Sequence, residues 1–241
     1  MAGKLNLLGR SSFLGELFKN VILIKLYLTM KLMKAIIYDL DNTIFPTSGI
    51  KSEVAEPVLH AIKQANEGYL DDNTLNESLF DCYRLSIRDV VRKYNFNQKM
   101  IDAAYGAFST LKLDYQLEMY PDYHLIKEIS GLRFLVTSGY HDFQALKIDN
   151  LNIRLDFEEV FIHDNHKSSA EGKVDIFKEI LQKYQLDSSE VFVIGDNPSS
   201  EIAAGNLLQM PTIQILRAGV LKSSDAKYHV NDFSELKQVL N

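Results

Sequence analysis

The 241-residue sequence has a single cysteine, Cys82, no tryptophan and no excess of basic side chains. One cysteine cannot form an internal disulfide, so nothing favours an oxidising compartment, and we expect a cytoplasmic protein. The formal net charge of −6 gives no electrostatic reason to expect a nucleic-acid polymer as a partner, because proteins that bind nucleic acids usually carry a basic patch. With 46% hydrophobic and 24% charged residues, the composition is that of a globular protein of one or two domains.

Long apolar runs are also missing. The most apolar stretch, "LFKNVILIKLYLTMKLM" at residues 17–33, is interrupted by Lys25 and Lys31, and its pieces are shorter than the ~18 residues of a membrane span. We therefore expect no membrane partner. Residues 1–32 are assigned to an amino-terminal extension whose status the sequence leaves open, since Met30 and Met33 each stand where a native chain could start.

The signatures of several enzyme classes are absent. The chain contains no glycine-rich dinucleotide fingerprint, no phosphate-binding P-loop and no Gly-x-Ser-x-Gly elbow. Nucleotide-driven transfer and serine hydrolysis therefore lack their usual signs. No internal repeat and no low-complexity tract is present either.

Five short apolar runs are present, and four of them end at polar residues or glycine. The runs "KAIIYD", "LRFLVTSG", "EVFIHD" and "EVFVIGD" stop at Asp39, Thr137 with Ser138, Asp164 and Asp196, and "TIQIL" follows them. Such β-branched and aromatic runs are typical of parallel strands buried on both faces, and segments with helical spacing separate them. The pattern predicts an α/β fold with a doubly wound, Rossmann-like parallel sheet, whose ligands bind at the carboxyl ends of the strands.

The sequence between the first and second of these runs shows no strand signal. Three stretches there have helical spacing, and they cover residues 53–70, 73–95 and 97–113. An all-helical block inserted directly after the first strand is expected to lie over the crevice as a lid. We therefore predict an α/β core of residues 33–48 and 119–241, with an inserted all-helical cap domain of residues 49–118.

Two carboxylates, Asp39 and Asp41, follow the first run at positions i and i+2. Side chains alternate in a strand, so both carboxylates point the same way if the extended backbone continues. They repel each other unless a positive group lies beside them, and a hard divalent cation would fill that role. A calcium loop of the EF-hand type is excluded, because Ile44 and Ile50 stand where glycine and glutamate are needed. The pair alone leaves open a solvated acidic turn.

The stretch "DLDNT" resembles the first motif, Asp-x-Asp-x-Thr, of the haloacid dehalogenase superfamily in its phosphatase branch. Three further motifs follow in the family's order, each beside a predicted strand: "LVTSG" with Thr137, "EGKVDIF" with Lys173, and "GDNPSSE" with Asp196 and Glu201. The opening "DLDNTIFP" is similar to that of pyrimidine 5'-nucleotidases. Glu201 departs from the family pattern, because aspartate is commoner there. The resemblance covers the whole predicted core and implies the helical cap.

The resemblance also implies a role for each motif residue. Asp39 would attack phosphorus as the nucleophile, and Asp41 would protonate the leaving group and then activate water. Thr137 and Lys173 would complete the catalytic set, with Lys173 offsetting negative charge. The implied phosphate-binding residues are Asn42, Thr43, Thr137, Ser138, Gly139 and Lys173. The implied ligands of a Mg²⁺ cofactor are Asp39, Asp41 through its backbone carbonyl, and Asp196. Three roles stay open for Glu201: contact with the metal, action through water, or only a pair with Lys173.

The motifs together predict an enzyme, a Mg²⁺-dependent phosphatase that hydrolyses a small phosphorylated metabolite through an aspartyl-phosphate. Asp41 speaks against dehalogenation, because superfamily members that cleave carbon–halogen bonds lack this second aspartate. Nucleoside monophosphates and sugar phosphates are the candidate substrates. A phosphomutase on the same scaffold and a non-catalytic phosphate-binding regulatory protein are the alternatives left open. The sequence indicates no oligomeric state.

Basic residues in the second helical stretch form a weaker pattern. Arg84, Arg88 and Arg92 recur every four residues, a spacing that would let them meet a second anionic group of a substrate. Asp81 and Asp89 are spaced to pair with them, however. A solvated face of salt bridges is therefore the favoured interpretation.

Overall fold

The computed structural model describes residues 33–83, 85–164 and 172–240, and the predicted extension at residues 1–32 lies outside them. The strands are β1 (Ala35–Tyr38), β2 (Leu132–Gly139), β3 (Glu159–Asp164), β4 (Val191–Gly195), β5 (Thr212–Ile215) and β6 (Tyr228–Val230). They form one sheet in the spatial order β3-β2-β1-β4-β5-β6, and every neighbouring pair is parallel. The α-helices are α1 (Glu56–Asn66), α2 (Asp72–Asp81), α3 (Ile87–Tyr94), α4 (Gln98–Phe108), α5 (His141–Asn150), α6 (Val174–Lys183), α7 (Ala203–Leu207) and α8 (Leu236–Leu240).

Both faces of the sheet are covered by apolar side chains. Ile36 and Tyr38 of β1 belong to one buried cluster, which α5 and α8 also enter. Ile37 belongs to a second cluster on the opposite face, together with Phe177 of α6 and Ala204 of α7. Because both faces are buried, the central strands β1 and β4 are apolar throughout rather than alternating with polar residues. The predicted doubly wound α/β sheet is confirmed.

The helices α1 to α4 all lie between β1 and β2 in the sequence. They share a buried apolar cluster of their own, within which α1 packs against α4. The prediction of a single helix over residues 73–95 is wrong, because α2 ends at Asp81 and α3 begins after Ser86. The hydroxyl of Ser86 accepts a hydrogen bond from the backbone N–H of Asp89, so this serine caps a new helix.

The sheet and the helical segment belong to one compact unit, Met33–Asn241. The predicted boundaries of a core (33–48 and 119–241) and a cap (49–118) therefore stay predictions. Within the described ranges, no helix combines the length and the apolar character that a membrane crossing requires.

Candidate active site

The polar ends of three neighbouring strands meet at one edge of the sheet. β1 lies between β2 and β4, so Asp39, directly after β1, is flanked by Thr137 of β2 and by Asp196, directly after β4. The backbone N–H of Asp39 donates to the carbonyl of Ile194 at 2.9 Å, which continues the pairing past the strand. A cavity of about 740 Å³ opens at this edge, and all three polar residues line it. We call it the catalytic cavity.

A tight turn follows Asp39. The carbonyl of Leu40 accepts hydrogen bonds from backbone N–H groups further along the turn, and Asn42 takes the left-handed backbone conformation with φ of 53°. Asparagine tolerates this conformation better than most residues, and the side-chain oxygen of Asn42 accepts a hydrogen bond from the Thr47 hydroxyl at 2.9 Å. The turn therefore brings Asp41 to the same cavity as Asp39.

A buried lysine bridges two of the acidic groups. Lys173, the residue before α6, donates to Oδ1 of Asp39 at 2.5 Å and to Oε2 of Glu201 at 2.9 Å. The most exposed of these three side chains, that of Asp39, is 7% accessible. Glu201 also accepts a hydrogen bond from the backbone N–H of Asn197 at 2.7 Å. Motif residues from three separate segments are thus in direct contact.

Gly195, the last residue of β4, makes room for Glu201. A Cβ at this position would lie 2.1 Å from Oε1 of Glu201, far inside van der Waals distance. Any side chain at residue 195 would therefore push the glutamate away from Lys173.

Burial and crowding change the acidity of this cluster. Burial, followed by the charge of Glu201, raises the pKa of Asp196 from 3.8 to about 7, against the lowering effect of Lys173. Burial also raises the pKa of Asp39 well above its usual value, although the ammonium of Lys173 opposes this. Burial alone would lower the pKa of Lys173, but the carboxylates of Asp39 and Glu201 together raise it above its usual range. A divalent cation would favour the ionised form of these carboxyls.

Three carboxylates are close enough to share a metal ion. One oxygen from each of Asp39, Asp196 and Glu201 lies within 4.8 Å of the other two. Carboxylate oxygens are the ligands that hard cations such as Mg²⁺ prefer. The residues present therefore fit the metal that the sequence motifs imply.

The carboxylate of Asp41 is held by α5. Nζ of Lys147 lies 2.6 Å from Oδ1 and 2.7 Å from Oδ2, and Nε2 of Gln144 lies 2.9 Å from Oδ2. Gln144 also donates to Oγ1 of Thr137 at 2.8 Å. Neither α5 residue was predicted from the sequence, because neither belongs to a recognised motif. Their one signal is position, since α5 begins almost directly after "LVTSG".

The predicted phosphate-binding residues occupy different places. Those that line the catalytic cavity are Asn42, Thr137, Ser138 and Lys173. Gly139 lines a neighbouring cavity, whereas the Thr43 side chain is fully buried and lines neither. The backbone carbonyl of Thr43 accepts a hydrogen bond from the buried Arg217 at 3.0 Å. Arg217, which was also not predicted from the sequence, thereby supports the turn that carries Asp41.

The neighbouring cavity has a volume of about 310 Å³, and Asp41 and Ser138 line both cavities. Its walls are mainly apolar and come from α1, α4 and α5, with Leu59, Phe108 and Phe143 among them. We call it the apolar cavity. Asp41 therefore lies at the border between a charged space and an apolar one.

The arginines of α3 do not form the solvated face of salt bridges that their spacing favoured. Asp81 accepts a hydrogen bond from Lys93 at 2.6 Å. Arg88 and Arg92 line the catalytic cavity, and neither forms an ion pair with any residue that the structure describes. Arg84 lies outside the described residues. The interpretation as a salt-bridged face is therefore wrong for Arg88 and Arg92.

The family described as haloacid dehalogenase-like hydrolase matches residues 33–208, well over half of the chain. The chain belongs to this family. The resemblance predicted from the four motifs is confirmed, and this protein is an enzyme, a hydrolase of the haloacid dehalogenase type.

Individual relatives of this hydrolase agree with the family match. A glyceraldehyde 3-phosphate phosphatase from Methanopyrus kandleri is 27% identical over 209 residues, which cover 77% of this chain and 85% of that protein. A phosphatase of the same superfamily from Thermococcus onnurineus has a similar structure, with a TM-score of 0.58, 18% identity and coverage of 87% and 98% of the two chains. A 2-haloacid dehalogenase from Pseudomonas syringae also has this fold, with a TM-score of 0.54, 18% identity and coverage of 87% and 98%.

Proposed function

We propose that this hydrolase is a Mg²⁺-dependent phosphatase that cleaves a small phosphomonoester through an aspartyl-phosphate on Asp39. One observation carries the proposal: Asp39, Asp41, Lys173 and the acidic cluster share a single cavity at the carboxyl edge of the sheet. This combination matches the demands of phosphoryl transfer, which are a nucleophile, a proton donor and positive charge near the transferred group.

The chain supplies a residue for each step. An oxygen of Asp39 attacks phosphorus, and the bond from phosphorus to the leaving oxygen breaks. Asp41 gives that oxygen a proton and later takes one from the water that cleaves the aspartyl-phosphate. Lys173 offsets the negative charge on Asp39 and the phosphoryl group. Oγ1 of Thr137 accepts a hydrogen bond from Gln144, so its own hydrogen is available to a phosphate oxygen.

The metal completes this arrangement. Asp39, Asp196, the backbone carbonyl of Asp41 and, directly or through water, Glu201 would hold Mg²⁺. When bound, the ion supplies positive charge that stabilises the phosphoryl group in the transition state.

The fold itself does not decide between phosphatase and dehalogenase, because solved structures with this fold include both. Asp41 favours the phosphatase. An alkoxide leaving group needs a proton, and Asp41 lies where it can supply one, whereas a halide leaves without protonation.

The substrate is proposed to be a small phosphorylated metabolite. The relative from Methanopyrus kandleri is named for its action on glyceraldehyde 3-phosphate, which supports a substrate of this kind. Nucleoside monophosphates and sugar phosphates are the candidates, and the apolar cavity beside Asp41 offers room for the leaving group. Phosphate release from a panel of phosphomonoesters with Mg²⁺ ranks them. Transfer of phosphate to a second sugar hydroxyl, without release, would indicate a phosphomutase instead.

Phosphate release from p-nitrophenyl phosphate tests the proposal. We expect release by the wild type with Mg²⁺, none in excess EDTA, and none from Asp39→Asn. Asp102→Asn is the matched control, because Asp102 is exposed on α4 and bonds to Gln98 rather than to the cavity. Full activity in Asp39→Asn would overturn the proposal.

A further inference from the structure

A buried lysine outside the four motifs contacts Asp41, the residue proposed to act as both acid and base. Lys147 of α5 is 4% exposed, and its ammonium touches both carboxylate oxygens of Asp41 although 106 residues separate the two in sequence. The ring centroids of Phe45 and Phe143 lie 5.9 and 5.6 Å from Nζ of Lys147, so aromatic rings also lie beside the ammonium. Burying an ammonium is costly unless it is paired, so the contact with Asp41 defines where this lysine can sit.

Gln144 lies one turn earlier on the same helix and joins the contact. Its amide nitrogen is within hydrogen-bond distance of three acceptors: Oδ2 of Asp41 at 2.9 Å, Oγ1 of Thr137 at 2.8 Å and the carbonyl of Ser138 at 2.8 Å. Gln144 is 3% exposed. The end of β2 and the turn after β1 are therefore tied together through one side chain.

We propose that Lys147, assisted by Gln144, is a positioning residue that fixes the carboxylate of Asp41 at the border of the catalytic and apolar cavities. This inference rests on the proposed function, because it assigns Asp41 the proton transfer to the leaving group. Asp41 lies on a turn with its side chain 26% exposed, and Lys147 and Gln144 of α5 donate hydrogen bonds to its carboxylate. A general acid acts only from within hydrogen-bond reach of the oxygen it protonates, and Asp41 lines both cavities, so a carboxylate fixed there would meet a leaving group that extends from one into the other.

A purely structural role explains the contact less well. A buried ion pair gives little net stability compared with well-packed apolar side chains of the same size, so stability alone does not account for a lysine at this position. Direct binding of substrate by Lys147 is the other alternative. Nζ lies 2.6 and 2.7 Å from the two oxygens of Asp41 and the residue is only 4% exposed, which favours action through Asp41.

The dependence of the rate on the leaving group separates these roles. The value of kcat/KM reports the steps up to departure of the leaving group. An alkyl phosphate such as glycerol 3-phosphate needs a proton at that point, whereas p-nitrophenolate leaves without one. For Lys147→Met we expect kcat/KM to fall about a hundredfold with the alkyl ester and less than about fivefold with the aryl ester. A structural role predicts equal losses, and direct substrate binding predicts a raised KM with kcat preserved.

A double variant tests whether Lys147 acts through Asp41. Adding Lys147→Met to Asp41→Asn should cause no further loss with the alkyl ester, because the positioned group is already gone. Lys147→Arg should restore part of the activity, since it keeps a cation near the carboxylate. Lys237→Met, which breaks an exposed ion pair with Glu128, should behave like the wild type.

Three results would overturn the inference: equal losses with both esters, losses that add in the double variant, or normal activity of Lys147→Met. If that variant does not fold, Gln144→Leu is measured in the same way, and it should show the same preference for loss with the alkyl ester.

Failure of the proposed function can be distinguished from failure of this inference. A wild type without hydrolysis dependent on Asp39 would overturn that function and this inference together, whereas normal Asp39 dependence with an unaffected Lys147→Met would overturn the inference alone.

Discussion

Gly195 packs directly against the side chain of Glu201 in the acidic cluster. A Cβ at residue 195 would lie 2.1 Å from Oε1 of Glu201, so a side chain there must displace the carboxylate that pairs with Lys173. We expect Gly195→Ala to lower the free energy of unfolding by about 1–3 kcal/mol and to reduce phosphate release. Denaturant unfolding and the phosphate-release assay measure the two effects.

Gly106→Ala is the matched control for this change. Gly106 lies within α4, and a Cβ there meets no other atom within 4 Å. Helix propensity predicts a gain of about 0.5–1 kcal/mol in stability, and phosphate release should not change. A similar loss of stability in both variants would contradict the close fit around Glu201.

The acidity of Asp196 predicts a pH dependence of stability in the metal-free protein. Its pKa is about 7 in the folded state against a usual 3.8, so the folded protein binds more protons between these values. The contribution of Asp196 to stability therefore falls as the pH rises through that window. In EDTA, the Tm of the wild type relative to that of Asp196→Asn should decrease from about pH 5 to about pH 7.5.

The same Tm measurements are then repeated with added Mg²⁺. Mg²⁺ binds the ionised carboxylates, so it should raise the Tm of the wild type more at neutral than at acidic pH, and should raise that of Asp196→Asn less. A Tm difference between the two proteins that does not vary with pH would contradict the assigned acidity.

Asp39, Thr137 and Asp196 were predictable because each lies at or directly after the end of a strand and the carboxyl ends of neighbouring strands meet. Lys173 and Glu201 were predictable only through their motifs. Lys147, Gln144 and Arg217 were not predictable, since they belong to no recognised motif and contact the turn after β1 across more than a hundred residues of sequence. Arg217 bonds to the carbonyl of Thr43 across 174 residues of sequence. Such contacts depend on the tertiary packing of α5 and of the chain after β5, which no local pattern shows.

At the scale of secondary structure, α3 connects the helical segment to the catalytic cavity. Arg88 and Arg92 are one turn apart on this helix and line the cavity without an ion pair to any described residue. A guanidinium in this position suits a second carboxylate or phosphate on the substrate. We expect Arg88→Gln or Arg92→Gln to raise KM about tenfold for a phosphomonoester with a second anionic group, such as phosphoglycolate.

The comparison substrate for this prediction is p-nitrophenyl phosphate, which has no second anionic group, and its KM should change little. Lys99→Gln removes a positive charge from α4 that pairs with Glu67 and lines neither cavity, so it controls for the overall charge. An equal rise in KM for both substrates would contradict a second anionic subsite.

Strands were easier to predict than helix boundaries. Burial on both faces keeps the central strands β1 and β4 apolar, and an aspartate directly follows each of them. The break between α2 and α3 was missed because helical periodicity continues on both sides of it. The serine–x–x–aspartate spacing of Ser86 and Asp89 is the local signal that marks the start of α3.

At the scale of the whole molecule, the parallel strand order explains why one cavity gathers residues from so much of the chain. β1 lies centrally between β2 and β4, so the segments after these strands converge, while α3 adds Arg88 to the catalytic cavity and α5 adds Lys147 to the apolar cavity beside it. The fold class followed from apolar periodicity alone. The family followed from four ordered motifs, and the cap boundaries stay a prediction because Met33–Asn241 forms a single unit.

The central claim is that Asp39 becomes covalently phosphorylated during turnover. Its most direct test is mass spectrometry of the Asp39 peptide after rapid acid quenching of the Asp41→Asn protein with Mg²⁺ and p-nitrophenyl phosphate. This substrate has a leaving group that needs no proton, and loss of the base should slow breakdown of the intermediate. The account predicts an added phosphoryl group on Asp39. Turnover with the phosphoryl group on another residue, or on none, would contradict it.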